Sequence, residues 1–104
     1  MIYDSFPYTV MTTLESLGFC GPGEAADFVA NQRTAPGGDF AMNTNGGGLS
    51  HTHSGMYGMF LILEAVRQLR GECGDRQIKD HNIALVNGTG GSLSSTGTTV
   101  LAVD

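Results

Sequence analysis

Asn43-Thr44-Asn45-Gly46-Gly47-Gly48-Leu49-Ser50-His51-Thr52-His53-Ser54-Gly55 runs directly into Met56-Tyr57-Gly58-Met59-Phe60-Leu61-Ile62-Leu63-Glu64-Ala65-Val66-Arg67-Gln68-Leu69-Arg70. The second stretch predicts a helix over 54–70 that stops at Gly71. Between 56 and 66 it is apolar on almost every face, the mark of a buried helix. A chain of 104 residues has little room to enclose such a helix by itself. The helix therefore calls for a covering half, supplied by further chain or by a partner. Ahead of it, residues 40–44 predict a strand that feeds the glycine loop, and 49–54 form an irregular connection.

Upstream, Met1-Ile2-Tyr3 reads as the end of a strand. Asp4-Ser5-Phe6-Pro7 then opens a helix, with Asp4 or Ser5 as its cap and Pro7 in its first turn. Val10, Met11, Leu14 and Leu17 form its apolar stripe, and Gly18 ends it. A short second helix is expected over 24–31 and a loop over 32–40. Downstream, 71–81 is a polar loop and Asn82-Ile83-Ala84-Leu85-Val86 a short buried strand. A Gly/Ser-rich turn over 87–95 precedes a closing strand over 98–103. The fold class is α/β with a mixed sheet. Its last two strands form an antiparallel hairpin, and the others need helical crossovers.

Composition narrows the function. The net charge is −5 and no basic patch is visible, which argues against nucleic acid. Charged residues make up only 14%, so much of the surface is expected to face other protein. Two cysteines, Cys20 and Cys73, are too few for a disulfide scaffold, and a reduced, cytoplasmic protein is expected. The run 56–63 is too short and glycine-broken to span a membrane. Sixteen glycines, clustered at 46–48, 55–58 and 88–91, suit close backbone approach to a ligand or strand.

Three constellations could carry chemistry. At a helix N-terminus, His51 and His53 could act as base or oxyanion donor. They could equally be ordinary loop histidines, or an H-x-H metal pair, although no further ligands stand at a sensible spacing. Asn87-Gly88-Thr89-Gly90-Gly91-Ser92 suggests a phosphate cradle, but no Lys follows and no helix starts there. A wide hairpin explains it as well. Tyr3-Asp4-Ser5-Phe6, at a strand end, is by itself a helix cap. Arg67, Gln68, Arg70 and Glu72 are most simply an exposed helix end.

Taken in order, these pieces resemble thiolases, in particular the sterol-carrier-protein-type and bacterial lipid-transfer-type branch, with acetyl-CoA acetyltransferases nearby. Tyr3-Asp4-Ser5-Phe6 stands where that branch carries His-Asp-Cys-Phe or Asn-Glu-Ala-Phe. Leu14-Glu15-Ser16-Leu17-Gly18-Phe19-Cys20-Gly21-Pro22-Gly23-Glu24 is similar to the segment that follows. Residues 43–55 resemble the Asn-x-x-Gly-Gly…Gly-His-Pro-x-Gly region, with His53 in the histidine position. Glu64-Ala65-Val66-Arg67-Gln68-Leu69-Arg70-Gly71 is similar to the branch's helix end, and 87–91 to its last glycine loop.

The resemblance implies a partial thiolase C-terminal domain over 1–104, half of a five-layered α/β/α/β/α fold with a shared central helix. The N-terminal domain, which would bear the nucleophilic cysteine, is not in this sequence. It implies acyl transfer on acyl-CoA thioesters with no further cofactor, by Claisen condensation or its reverse. The implied partners are acyl-CoA or a related thioester and the N-terminal half or a partner subunit, in a homo- or hetero-oligomer. His53 would be the base, with Tyr3, Ser5 and Asn87 in the remaining reactive positions. Asn45, Gly46, Gly47, Gly88, Gly90, Gly91 and Tyr57 would line the substrate. Neither Cys20 nor Cys73 stands in the nucleophile's context.

The departures redirect the chemistry. Ser54 replaces the proline after the family's histidine. Asn87 lies near the usual second cysteine, and Asn transfers no proton at neutral pH. Ser5 replaces the alternative thiol, and Tyr3 the His or Asn that holds a water or oxyanion. Hydrolysis, retro-aldol cleavage or acyl binding then compete with condensation, and Tyr3 and Tyr57 are candidate proton donors for aldol-type chemistry. The alternatives are a non-catalytic acyl-CoA- or lipid-binding subunit that completes a partner chain, and a free-standing domain whose glycines bind some other anion.

Overall fold

The computed structural model describes all residues from Met1 to Asp104. Helix α1 spans Pro7–Ser16 and opens at Phe6, whose backbone is extended. Proline suits the first turn because its missing N–H would have no helical partner there. At the far end Gly18 turns left-handed, with φ +80°. Its amide bonds Glu15 O at 3.0 Å and the Phe19 amide bonds Leu14 O at 3.1 Å, a paired closure that only a left-handed residue permits. Leu14 on the inner face is fully buried. Helix α2 spans Ala25–Val29 and a single 3-10 turn follows over Ala30–Gln32. Phe28 and Phe19 each meet Phe40 edge-on, with centroids 5.0 and 4.9 Å apart, and Arg33 lies over the Phe28 ring.

The strand expected over 40–44 does not form. Asn43 takes a left-handed φ of +47°, which breaks extension. Its side-chain amide instead accepts from the Ile2 N–H at 2.9 Å and donates to Ile2 O at 2.7 Å. One side chain thus satisfies a backbone edge that a strand would have paired. A one-turn helix α3, Gly47–Ser50, follows.

Helix α4 spans Gly58–Leu69, four residues shorter at its start than the sequence pattern suggests. Met56 at φ +63° interrupts the helical path. Gly71, with φ +72°, closes the other end as Gly18 closes α1. The helix buries one face only, through Leu61, Glu64, Ala65 and Gln68. Met59, Phe60 and Leu63 stay about half exposed, so the expectation of burial all round fails for this chain alone.

Strands β1, Ile83–Gly90, and β2, Ser95–Ala102, form an antiparallel hairpin with Ile83 opposite Ala102 and Asn87 opposite Thr98. The turn expected over 87–95 shrinks to 91–94, where Gly91 and Leu93 carry positive φ. Residues 87–90 are strand. Along the other edge of β1, the Tyr3 N–H donates to Asn87 O and the Asn87 N–H donates to Met1 O, both at 2.9 Å. That pairing is parallel but is a single bridge outside the sheet, which is itself the two-stranded antiparallel hairpin; only this bridge gives it the mixed character expected. Tyr57, Leu61, Ala65 and Val86 form the core between α4 and β1. Fully burying Leu61 contributes about 2 kcal/mol.

The loop after α4 contains a 3-10 turn, Gly74–Arg76, and is pinned by buried polar groups. Glu64, 3% exposed, accepts from Arg76 Nε and Nη2, at 2.8 and 3.0 Å, and from the Thr44 hydroxyl at 2.7 Å. Gln68 is not the exposed residue expected: it is fully buried and bonds Thr44, Arg76 O and the Ile78 N–H. No helix is long and apolar enough to cross a membrane.

Candidate functional site

An open cleft of about 940 Å³ lies where three segments converge. The start of α1 supplies Tyr3, Ser5, Phe6, Tyr8 and Thr9. The turn before α4 supplies residues 53–58, and the hairpin tip supplies its glycines, Leu93 and Thr96. The parallel pairing of residues 1–3 with β1 is what carries Tyr3 to the hairpin's glycine end. The N-terminus of α4 also opens here, since Tyr57 and Gly58 are both in the wall. Its free amides favour negative charge developing in the cleft.

Seven of the residues that the sequence singles out meet in this cleft: Tyr3, Ser5, His53, Tyr57, Gly88, Gly90 and Gly91. The Tyr3 ring lies 6.0 Å from Tyr57 and 6.3 Å from His53, centroid to centroid, and Phe6 lies 5.8 Å from His53. His53 is exposed; Tyr57 is only 4% exposed. Burial pushes the Tyr57 phenol above its ordinary pKa, and the Asp4 and Glu64 carboxylates push it further, while Asn45 pulls the other way. Tyr57 is thereby held as the neutral, proton-bearing form. Ser5 shares a hydrogen bond with Thr9 at 3.0 Å.

The remaining four do not line the cleft. Asn45 O takes His51 Nε2 at 2.7 Å, and Asn45 Oδ1 accepts the Gly47 N–H at 3.0 Å. His51 is accordingly a loop-holding residue. Gly46 and Gly47 turn left-handed, and a Cβ on Gly47 would collide with the Asp4 carboxylate. They shape the loop behind the cleft rather than its wall. Asn87 is buried at 3% exposure, with Nδ2 on Thr96 and Thr98 at 3.1 and 2.8 Å and Oδ1 without a partner.

Asp4 departs from the helix-cap role that its place in the sequence predicts. It does not cap α1, which has no side-chain cap. It reaches across to α3, where it accepts the Gly48 N–H at 2.7 Å and the Leu49 N–H at 3.2 Å. Asp followed by Pro three residues later looks like a local cap; the only hint of the longer reach is the triple glycine that makes room for it.

Cys20 and Cys73 both lie outside the cleft. Burial, with Glu15 and Glu24 nearby, raises the Cys20 pKa; burial, with Glu64 nearby, raises that of Cys73. Each stays a protonated thiol and a poor nucleophile. No three His, Cys, Asp or Glu side chains gather where they could hold a metal ion.

The cleft is thus walled by glycines at the tip of the β1–β2 hairpin, with one histidine in the loop before α4. The family profile described as thiolase C-terminal domain-like matches residues 1–103, and the chain belongs to that family. It is 40% identical over 90 residues to a 17-hydroxy-3-oxo-4-pregnene-20-carboxyl-CoA lyase of Mycobacterium tuberculosis, covering 86% of this chain and 23% of that protein. It is equally 40% identical over 90 residues to a steroid side-chain-cleaving aldolase of Thermomonospora curvata, covering 86% and 22%. Human sterol carrier protein 2 is 35% identical over 90 residues, with 86% and 16% covered. The chain thus spans less than a quarter of the length of these relatives.

Proposed function

We propose that this chain supplies the C-terminal half-site of a thiolase-fold enzyme that cleaves a carbon–carbon bond of an acyl-CoA thioester by retro-aldol chemistry. The observation that carries this reading is the pair Tyr3 and Tyr57, 6.0 Å apart beside His53, in a cleft that holds no thiol. Asn87 and Ser5 stand in the positions where a condensing thiolase would carry its second thiol, and the proton carriers of this cleft are Tyr3, Tyr57 and His53 instead. The steroid lyase and aldolase among the relatives support the same direction and suggest a bulky polycyclic acyl group.

In that reaction a β-hydroxyacyl thioester loses its hydroxyl proton to a base, and the Cα–Cβ bond breaks. The β-carbon leaves as a ketone or aldehyde, and its bonding electrons form the thioester enolate. An acid then protonates Cα. Tyr57, held neutral, is the acid; the Tyr3–His53 pair takes the hydroxyl proton. The α4 amides at Tyr57 and Gly58 favour the enolate oxygen. The remaining half of the site, contacts to CoA and the oligomeric interface fall to an N-terminal domain or a partner subunit that packs on the open face of α4.

The test is product analysis on the enzyme assembled with its N-terminal half. A β-hydroxyacyl-CoA should yield a free carbonyl compound and a shortened acyl-CoA with no free CoA consumed. Turnover that requires free CoA as acyl acceptor would instead identify thiolysis. A second reading, a non-catalytic acyl-binding subunit, is favoured by the half-exposed apolar face of α4. It predicts saturable acyl-CoA binding with no turnover in the same assay.

A further inference from the structure

Tyr3 and Ser5 line the cleft, but the residue between them points away from it and is 4% exposed. That residue, Asp4, spends its carboxylate on the amides of Gly48 and Leu49. These amides lie on the stretch of chain that runs into His53, and Gly47 is bare so that the carboxylate fits. On the other flank, Ile2 is tied by its backbone to the Asn43 side chain. The two ties bracket Tyr3. His51, bonded to Asn45 O, extends the tied loop to within two residues of His53.

We propose that Asp4 is a positioning residue: its buried carboxylate clips the Tyr3–Ser5 segment to the 47–49 turn and thereby fixes Tyr3 against His53 across the cleft. Charge-assisted bonds to backbone amides are short and strong, and two to one carboxylate set orientation as well as distance. The arrangement couples two segments that no strand or helix joins. A loose clip would let the Tyr3 ring drift from its 6.3 Å separation from His53, and small misplacement of reacting groups is costly in rate. The catalytic consequence rests on the retro-aldol reading; the geometric claim does not.

The experiment compares Asp4→Ala, Asp4→Asn and Asp4→Glu in the enzyme assembled with its N-terminal half. The first readout needs no activity. In Asp4→Ala, amide exchange at Gly48 and Leu49 should quicken about tenfold or more, and the ring-to-ring nuclear Overhauser contact between Tyr3 and His53 should weaken. In the second readout kcat should fall about 100-fold while KM for the acyl-CoA moves less than about threefold. Asp4→Asn, nearly isosteric and still carrying one acceptor oxygen, should fold and recover part of kcat. Asp4→Glu should not, because the Gly47 backbone leaves no space for another methylene. Unchanged exchange and an unchanged Tyr3–His53 contact in Asp4→Asn and Asp4→Ala would overturn the proposal. So would a lower melting temperature with kcat per folded molecule intact. If the parent enzyme shows no cleavage, the retro-aldol reading fails, and the exchange and ring-contact measurements still decide the role of Asp4.

Discussion

Tyr3 and His53 stand at the mouth of the cleft with ring centroids 6.3 Å apart and planes tilted by 41°. If they act as one proton-accepting unit, their removal should be far from additive. His53→Ala and Tyr3→Phe should each lower kcat for thioester cleavage about 100-fold, and the double variant should fall little further. Steady-state kinetics on the assembled enzyme measures this. An unaltered rate in His53→Ala would sink the role given to that residue.

Tyr57 gives a pH prediction with a definite sign. Burial, then the Asp4 and Glu64 carboxylates, raise its pKa from the ordinary 10.0. The folded protein therefore keeps a proton that the unfolded chain begins to release near pH 10. Unfolded and folded states differ in bound protons from that point upward, so Tyr57 should destabilise the fold progressively as pH rises past about 10. Ultraviolet difference titration should find one tyrosine ionising later than an ordinary phenol, and Tyr57→Phe should remove it. Replacing Asp4 with Asn should move that late titration downward, since a like charge has been removed.

The sequence made the two helices with a period and a glycine stop, α1 and α4, legible, along with the hairpin and the cleft residues on its glycine tip. Each is a local pattern of apolar spacing and turn chemistry. What escaped was settled by contacts between segments far apart in the chain. Asn43 lies in a stretch with strand-like neighbours, yet its amide meets Ile2 and bends the chain. Asp4 sits where any helix cap would, yet caps a different helix. Gln68, three residues from the helix stop, looks solvent-facing until the 71–81 loop folds over it. Glycines 46 and 47 signal close approach, but what approaches them belongs to the same chain: the Ser50 side chain at Gly46 and the Asp4 carboxylate at Gly47.

Gly47→Ala follows from that last point. The added methyl would strike the Asp4 carboxylate, and φ of +68° strains any L-residue besides. Adding Asp4→Ala relieves the collision but not the backbone strain. We expect Gly47→Ala to cost about 2–3 kcal/mol alone and about 1 kcal/mol in the Asp4→Ala background. Chemical denaturation of the four members of the cycle measures the difference.

Glu64→Gln tests the polar network under the loop. Burial by itself would raise the Glu64 pKa; hydrogen bonds from Arg76 and Thr44 and the Arg76 charge outweigh it and hold the pKa below its ordinary 4.5. Because the folded value is depressed, its stabilisation is present above about pH 4.5 and is lost as pH falls through the folded pKa. Arg76 is partly exposed, side chain 38%, so water moderates the loss of its partner. Glu64→Gln should cost about 2 kcal/mol at pH 7 and much less at acid pH, measured by denaturation at both.

The open face of α4 makes the last prediction. Phe60, Met59 and Leu63 are 48, 53 and 49% exposed, and Met56 beside them is 81% exposed. One continuous apolar surface of this kind on a small chain marks an interaction site, because isolated soluble domains cover such patches. The isolated chain should therefore bind a hydrophobic dye strongly and self-associate with rising concentration. Adding the N-terminal half of the enzyme should abolish both effects, as the same side chains become buried between the halves. Phe60→Glu, which places a charge in the middle of the patch, should suppress dye binding in the isolated chain and also prevent assembly. A monomeric chain with no dye binding, measured by sedimentation and fluorescence, would refute the covering half and leave α4 as an ordinary surface helix.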